Sequence, residues 1–254
     1  MPKLPTDPQA LERTVLELAA ASFVNARKLH QAAQAVLDQE LWPGAFSWSA
    51  LAAEEVGKAV LCISLLAMPP ALREQARADF HKAFTDHQAK AGFAHFVLAV
   101  GAEEMPASME QMLDDVVKAA RQTNAMKFRG LYVDYTDTGA LLQPEDVGED
   151  AARFMVGTVA RLLEESALAE SSVTDDPDDY LDFLHQWQDS VDYEALGAFV
   201  DAEPLAFLAA VRAFIRDDAP PSALILGDRL AEQVAAAASP SEVPPGEEAQ
   251  PSIG

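Results

Sequence analysis

The stretch SALAAEEVGKAVLC, residues 49–62, decides the fold class of this chain. Ala, Leu, Val and Cys surround most of a helix built from it, which is typical of a helix buried in a bundle. Three charged residues interrupt the pattern, namely Glu54, Glu55 and Lys58. The spacings i,i+4 and i,i+3 place Lys58 near both carboxylates. Because an unpaired buried charge is costly, the segment predicts a polar cluster within the bundle, although an ordinary exposed charged face is the alternative.

The rest of the chain is also helical in pattern. Ala, Leu, Glu, Gln and Arg dominate, and the alternation that marks strands is scarce, so we expect an all-α fold. Residues 132–146 are the exception, with a strand-like start and a loop-like middle. The predicted helices cover residues 8–38, 45–67, 71–100, 108 to beyond 128, 145–168, 177–189, 192–200, 204–217 and 222–237.

One polar residue lies on the predicted apolar stripe of the first helix. The stripe comprises Leu11, Val15, Leu18, Ser22, Asn25, Leu29, Ala32 and Val36. A buried amide must be hydrogen-bonded, so Asn25 is expected either in a core polar network or in contact with a ligand. The network is the interpretation that we favour.

Charge divides the chain into unequal parts. The 254 residues include 41 Asp and Glu but only 18 Lys and Arg, for a net charge of −23. This balance argues against a protein that coats nucleic acid or an anionic membrane through its overall charge. Residues 171–254 hold 17 of the acids and 3 of the bases. We therefore predict a bundle over residues 1–170, an acidic helical extension over 171–238 and a disordered tail over 239–254.

Several classes of protein are disfavoured. One cysteine, Cys62, cannot form an intrachain disulfide, and no apolar stretch reaches the about 20 residues of a membrane span. The N-terminus has no signal-peptide pattern, so we expect a cytoplasmic protein without membrane contact. The five histidines form no convincing metal set, and the glycine motifs for phosphates and dinucleotides are absent, so no metal and no cofactor is expected.

A second polar group lies in the segment FTDHQAK, residues 84–90. His87 and Lys90 are three residues apart and share a helix face. Together with Glu54 and Glu55 they can form a network between helices. An imidazole there can also serve as a general base near neutral pH. The alternative is an ordinary structural or surface histidine.

The third polar group is KFRGLYVDY, residues 127–135. It ends the stretch 116–133, which has four bases and no acid in an otherwise acidic chain. Basic residues such as Lys127 and Arg129 can hold a phosphate while Tyr132 stacks on a base. In the alternative interpretation, Arg129 pairs with a glutamate of residues 49–62 and Tyr132 fills the core. The four bases are Lys118, Arg121, Lys127 and Arg129.

The order of these features resembles the AbiV family of phage abortive-infection proteins over about residues 10–170. That family is similar to the wider HEPN superfamily of all-helical, often dimeric bundles, many of which are metal-independent endoribonucleases with an Arg-x(4–6)-His motif. This chain has Arg129 followed by Asp134 where the histidine is expected. The features are Asn25, LAAEEVGKA at 51–59, His87-x-x-Lys90, FRGLYVDY at 128–135 and a Pro-Glu-Asp helix start at 144–146.

The resemblance implies an HEPN-like bundle that acts in antiviral defence by cleaving or binding RNA to arrest translation. It implies that Arg129 binds phosphate and that His87 or Asp134 is the base, with Tyr132 beside them. Glu54 and Glu55 would orient Lys58 and Arg129. RNA, a phage or host protein, and a second copy of the chain are the expected partners. The rival hypothesis is a non-catalytic interaction module in which the same polar cluster is structural, so whether the protein is an enzyme stays open.

Overall fold

The computed structural model describes residues 4–216, and most of them are helical. This confirms the predicted all-α fold; the predicted helix 222–237 and the tail 239–254 lie outside the described residues. No helix within 4–216 is both long and apolar enough to cross a membrane. The elements are α1 Pro8–Leu37, α2 Trp42–Ala67, α3 Pro70–Thr85, α4 His87–Gly101, α5 Met109–Leu131, β1 Asp134–Tyr135, β2 Leu141–Leu142, a 3-10 turn Pro144–Asp146, α6 Glu149–Glu165, α7 Ala167–Thr174, α8 Pro177–Ser190, α9 Tyr193–Ala202 and α10 Pro204–Arg216.

Helix α2 is the centre of the bundle. It packs against α1, α4, α5 and α6, which leaves little of its surface to solvent. Its many alanines allow these neighbours to approach closely, since a small side chain keeps helix axes near each other. Any polar side chain on α2 therefore meets the inner face of another helix.

The buried face of α1 differs from the predicted stripe at Asn25. The stripe was expected to pass from Ser22 to Asn25, but the buried residues continue from Ser22 to Ala26 and His30. Phe23 is fully buried on the same face as Ala26 and His30. Asn25 is consequently exposed, and its predicted burial is wrong.

The predicted helix over 71–100 is broken in two at Asp86. This residue has extended backbone angles, and its carboxylate accepts hydrogen bonds from the backbone N–H groups of Gln88 at 2.7 Å and Ala89 at 3.2 Å. Aspartate is a favoured N-cap, so the chain restarts there as α4 rather than continuing α3. The break makes His87 the first residue of α4.

The predicted helix after Pro144 is likewise divided. A 3-10 turn at Pro144–Asp146 precedes α6, and Ser166 separates α6 from α7. Ser108 caps α5, because its Oγ accepts a hydrogen bond from the N–H of Gln111 at 3.1 Å. Between α5 and the turn, β1 and β2 pair as a short antiparallel hairpin.

The helices after α6 close the ends of two inner helices. In α8, Tyr180 joins the main core, and the Gln188 side chain donates to the carbonyl of Leu66 at 2.7 Å. In α10, Arg212 donates from Nε to the carbonyl of Val100 at 2.6 Å. These donors satisfy carbonyls that a helix C-terminus leaves without an intrahelical partner. The division of the chain near residue 170 stays a prediction.

Gly57 lets α2 and α4 approach so closely that no side chain fits between them. A Cβ at this position would overlap the carbonyl oxygen of Lys90 and lie 3.1 Å from the nitrogen of Ala94. Both obstacles are backbone atoms, which cannot move without displacing α4. The glycine therefore fixes the distance between Glu54 on α2 and the first turn of α4.

We predict that Gly57→Ala destabilises the protein by about 1–3 kcal/mol or more, the usual cost of overpacking. Gly157→Ala is the matched control, because it lies within α6 with no atom within 4 Å of the added Cβ. The control is expected to stabilise by up to about 1 kcal/mol through helix propensity. Urea unfolding measures both; equal effects of the two substitutions would contradict the close approach of α2 and α4.

One buried histidine, His30, and one half-buried histidine, His95, predict a pH dependence of stability. Burial lowers the pKa of His95 and of His30, whose pKa the charge of Arg27 lowers further. The folded protein then binds fewer protons than the unfolded chain below the ordinary histidine pKa of about 6.5. This contribution to the free energy of unfolding is complete above that pH and decreases as the pH falls.

We predict that His95→Gln makes this decrease shallower, because one of the two titrating rings is removed while a side chain that can hydrogen-bond to Thr123 is kept. The wild-type contact joins His95 Nε2 and Thr123 Oγ1 at 2.9 Å. Unfolding in urea from neutral pH to about pH 5 is the measurement, with His81→Gln at an exposed position of α3 as control. An unchanged slope in His95→Gln would refute the prediction.

Candidate functional site

The carboxylate of Glu54 is the centre of a polar cluster between α2, α4 and α5. Glu54 is 3% exposed. Its Oε1 accepts a hydrogen bond from the ammonium of Lys127 on α5. Its Oε2 lies 2.5 Å from Nδ1 of His87 and 3.6 Å from Nζ of Lys90, both on α4. Two helices, α4 and α5, thus deliver cationic or ionisable groups to one buried carboxylate on α2. We call Glu54, Lys90 and Lys127 the inner cluster.

The inner cluster carries more positive than negative charge. Lys127 is 1% and Lys90 is 8% exposed, so both ammonium groups are withdrawn from water. Only Glu54 is paired with them among the described residues. The ammonium of Lys127 also lies 4.6 Å from the ring centroid of Phe128, a cation–π contact. The excess positive charge favours an anion nearby.

His87 connects the inner cluster to solvent. Its side chain is 47% exposed although Nδ1 is bonded to the buried carboxylate. A carboxylate accepts hydrogen bonds, so Nδ1 must be the donor, and Nε2 is then the basic nitrogen of the neutral ring. The ring also packs edge-on against Phe128, at 6.1 Å between centroids and 86° between planes. The orientation of the imidazole is therefore fixed on two sides.

The remaining predicted residues near the end of α5 are exposed. Tyr132 is 60% exposed and stacks on Phe128 at 6.2 Å with 27° between planes. Arg129 is exposed and has no ion pair among the described residues, so the interpretation that it pairs with a glutamate is wrong. Asp134 lies in β1, where its carboxylate accepts from the N–H of Tyr135 at 2.8 Å. Tyr132 does not fill the core.

Glu55 and Lys58 form a separate pair on α2. Nζ of Lys58 lies 2.5 Å from Oε1 of Glu55, and it also faces the ring of Phe84 at 5.6 Å. Successive residues on a helix diverge by about 100°, so Glu54 and Glu55 serve different neighbours. The expectation that the two glutamates orient Lys58 and Arg129 is therefore correct only for Glu55 with Lys58; Glu54 holds Lys127 in place of Arg129.

The other residues that the sequence analysis singled out are exposed and do not belong to the inner cluster. Asn25 is exposed on α1 and makes no hydrogen bond to the cluster among the described residues. Lys118 is exposed and lies 3.5 Å from Asp115, and Arg121 is exposed as well. Within residues 4–216, no three His, Cys, Asp or Glu side chains are grouped to hold a metal ion.

Two contributors to the site were not identified from the sequence. Phe128 contacts Lys127, His87 and Tyr132, and its i,i+4 spacing to Tyr132 was the available signal. Ser47, fully buried on α2, donates from Oγ to the carbonyl of Lys127 at 3.2 Å. This bond attaches the end of α5 to α2, and no sequence pattern indicates it.

We predict that Glu54→Gln lowers the free energy of unfolding by about 3–5 kcal/mol, because Lys127 and Lys90 would stay buried without a carboxylate. Glu55→Gln, in the partly exposed pair with Lys58, is expected to cost about 1 kcal/mol or less. Adding Lys127→Met to Glu54→Gln should recover part of the loss. Urea unfolding provides the comparison; similar losses for the two glutamates would show that Glu54 has no special structural role.

A protein-family model matches more than half of this chain. The family model HEPN_AbiV, described as AbiV, matches residues 14–164. No curated protein matches the chain, and neither does any solved structure. The matched segment includes every residue of the inner cluster as well as His87, Arg129 and Tyr132, and the all-α structure agrees with an HEPN helical bundle. Because the match extends over more than half of the sequence, this chain belongs to the AbiV family of abortive-infection proteins, which act in phage defence.

Proposed function

We propose that this protein arrests infected cells by binding RNA at the cluster of α2, α4 and α5 and cleaving it there. The observation that supports this best is the arrangement of His87. Its Nδ1 is held by a buried carboxylate, while nearly half of its side chain is open to solvent. A histidine oriented in this way by an acid is suited to general base catalysis.

Each residue has a distinct role in the proposed reaction. Nε2 of His87 removes the proton from a ribose 2′-OH, and the 2′-oxygen attacks the adjacent phosphorus. The P–O5′ bond breaks, so the products are a 2′,3′-cyclic phosphate and a 5′-OH, whose oxygen takes a proton from solvent. Glu54 stabilises the imidazolium that forms, and Arg129 binds the phosphate oxygens as charge develops on them.

His87 is a better candidate for the base than Asp134. A carboxylate is a weaker base than an imidazole at neutral pH. Asp134 also lies on an exposed hairpin, where its carboxylate is engaged with the N–H of Tyr135. The excess positive charge of Lys127 and Lys90, which share Glu54 with His87, favours a phosphate near the imidazole rather than near the hairpin carboxylate.

The second candidate function is a non-catalytic interaction module. It is favoured by the burial of Glu54, Lys90 and Lys127, since buried, mutually paired charges are common in purely structural networks. In that case a phage or host protein would carry out the arrest. Cleavage of RNA distinguishes the two functions, and dimer formation is a further proposal that both allow.

We predict that the wild-type protein fragments RNA in an infected bacterial host and that His87→Ala and Arg129→Ala lower cleavage by about 100-fold or more. Growth, phage plating and total RNA integrity are followed together, and fragment ends are tested for 2′,3′-cyclic phosphate. Arg153→Ala is the control, because Arg153 is an exposed arginine of α6 paired with Glu149 at 2.7 Å.

Two results would contradict the proposal. Intact RNA in a growth-arrested wild-type culture would favour the interaction module. Equal phage protection by Arg129→Ala and the wild type would remove Arg129 from the mechanism.

A further inference from the structure

Two aromatic rings at the end of α5 remain open to solvent beside the proposed base. Phe128 and Tyr132 are 41% and 60% exposed, and their rings stack at 6.2 Å with 27° between planes. Tyr132 has Phe128 on one face, and most of its side chain is open to solvent. Large aromatic side chains are normally buried, because their exposure to water is unfavourable. An exposed stacked pair of this kind therefore indicates a ligand surface.

The rings are held on a rigid support. Phe128 has the ammonium of Lys127 on its face and the ring of His87 at its edge. The backbone beneath them is fixed at Gly130, where a Cβ would lie 2.5 Å from Oγ of Ser47 and 2.9 Å from the carbonyl oxygen of Pro43. Thus α5 is pressed against the start of α2, and the position of Tyr132 relative to His87 is defined.

We propose that Tyr132, supported by Phe128, is a stacking platform for an unpaired base next to the phosphate that His87 and Arg129 act upon. The substrate class is then single-stranded or looped RNA. In a duplex both faces of each base are covered by neighbouring pairs, whereas an unpaired base can lie on an aromatic ring. This inference rests on the proposed function, from which it takes RNA as the ligand and His87 as the base.

The surroundings of the rings favour RNA over a protein as the occupant. The apolar surface continues to Leu131 and Val133, which are 40% and 66% exposed, so a second copy of the chain is the competing occupant. However, residues 116–133 contain no acid, and Arg129 lies between the two rings in the sequence. Rings combined with excess positive charge are typical of surfaces that bind single-stranded nucleic acid.

The platform is tested by binding, separately from cleavage. The probe is a short 2′-O-methyl oligouridine, which lacks the 2′-OH that cleavage needs, and the comparison probe has the same backbone without bases. Fluorescence anisotropy with the full chain measures both affinities. Tyr132→Leu removes the ring, Tyr132→Phe keeps it, and Phe154→Leu removes a 74% exposed ring on α6 as the control. Tyr132→Gln repeats the test should Tyr132→Leu fold poorly.

The expected result is an about 10-fold or greater loss of affinity for the base-bearing probe in Tyr132→Leu, with unchanged affinity for the abasic probe. Tyr132→Phe and Phe154→Leu should bind both probes like the wild type. The platform is refuted by equal wild-type affinity for the two probes, or by unchanged binding in Tyr132→Leu. It is also refuted if Tyr132→Leu only converts a dimer to a monomer, since a second copy would then be the occupant.

Failure of the platform and failure of the proposed function give different results. A wild-type protein that prefers the base-bearing probe but leaves RNA intact supports the platform and contradicts cleavage. A wild-type protein that cleaves RNA, with a Tyr132→Leu variant that binds and cleaves equally well, supports cleavage and overturns the platform.

Discussion

The arrangement of the bundle depends on one buried carboxylate, that of Glu54. Helices α4 and α5 carry the ammonium groups of Lys90 and Lys127 into the interior, where each would be strongly unfavourable alone. The carboxylate of Glu54 stabilises both buried ammonium groups, but only if α4 and α5 lie at the correct distance from α2. The absence of a side chain at Gly57 allows that distance on the α4 side. One electrostatic condition, the pairing of Glu54 with both lysines, and one steric condition, the close approach at Gly57, must therefore be satisfied together. This restricts the bundle to a narrow range of packing geometries.

This constraint separates residues that support the site from residues that can meet a ligand. Glu54 and Lys127 are enclosed and fixed by packing, so their contribution to any chemistry acts through the groups that they hold. His87 and Tyr132 are attached to that support but reach solvent. A site built in this way keeps its reactive groups oriented before a ligand arrives, which lowers the ordering cost of binding. The same rigidity would serve an interaction module, so reactivity at His87, and not the architecture, distinguishes the two proposed functions.

The sequence predicted the fold and the members of the cluster better than their pairing. The buried residues Val116, Ala120, Thr123 and Lys127 follow helical spacing, so the stripe of α5 already placed Lys127 inward and Arg129 outward. Choosing Arg129 as the partner of Glu54 overlooked that periodicity. The exposure of Asn25 has a similar cause, since a shift of one residue moves a side chain by about 100° around a helix. The close approach at Gly57 and the Ser47 bond to α5 depend on how helices pack in three dimensions, which a single sequence does not encode locally.

Overall charge and local charge act in opposite directions in this molecule. A net charge of −23 makes most of the surface repel a polyanion that comes close to it, which disfavours indiscriminate binding to RNA. Attraction is confined to the short distances at which the excess charge of the inner cluster and Arg129 outweighs that repulsion, because salt screens exposed charges beyond about 10 Å. If RNA is the ligand, binding must then come from contacts made at the site itself, namely a phosphate beside Arg129 and a base on Tyr132. Such a balance suits a defence protein whose host contains abundant RNA, since only a chain that fits the site closely would overcome the repulsion.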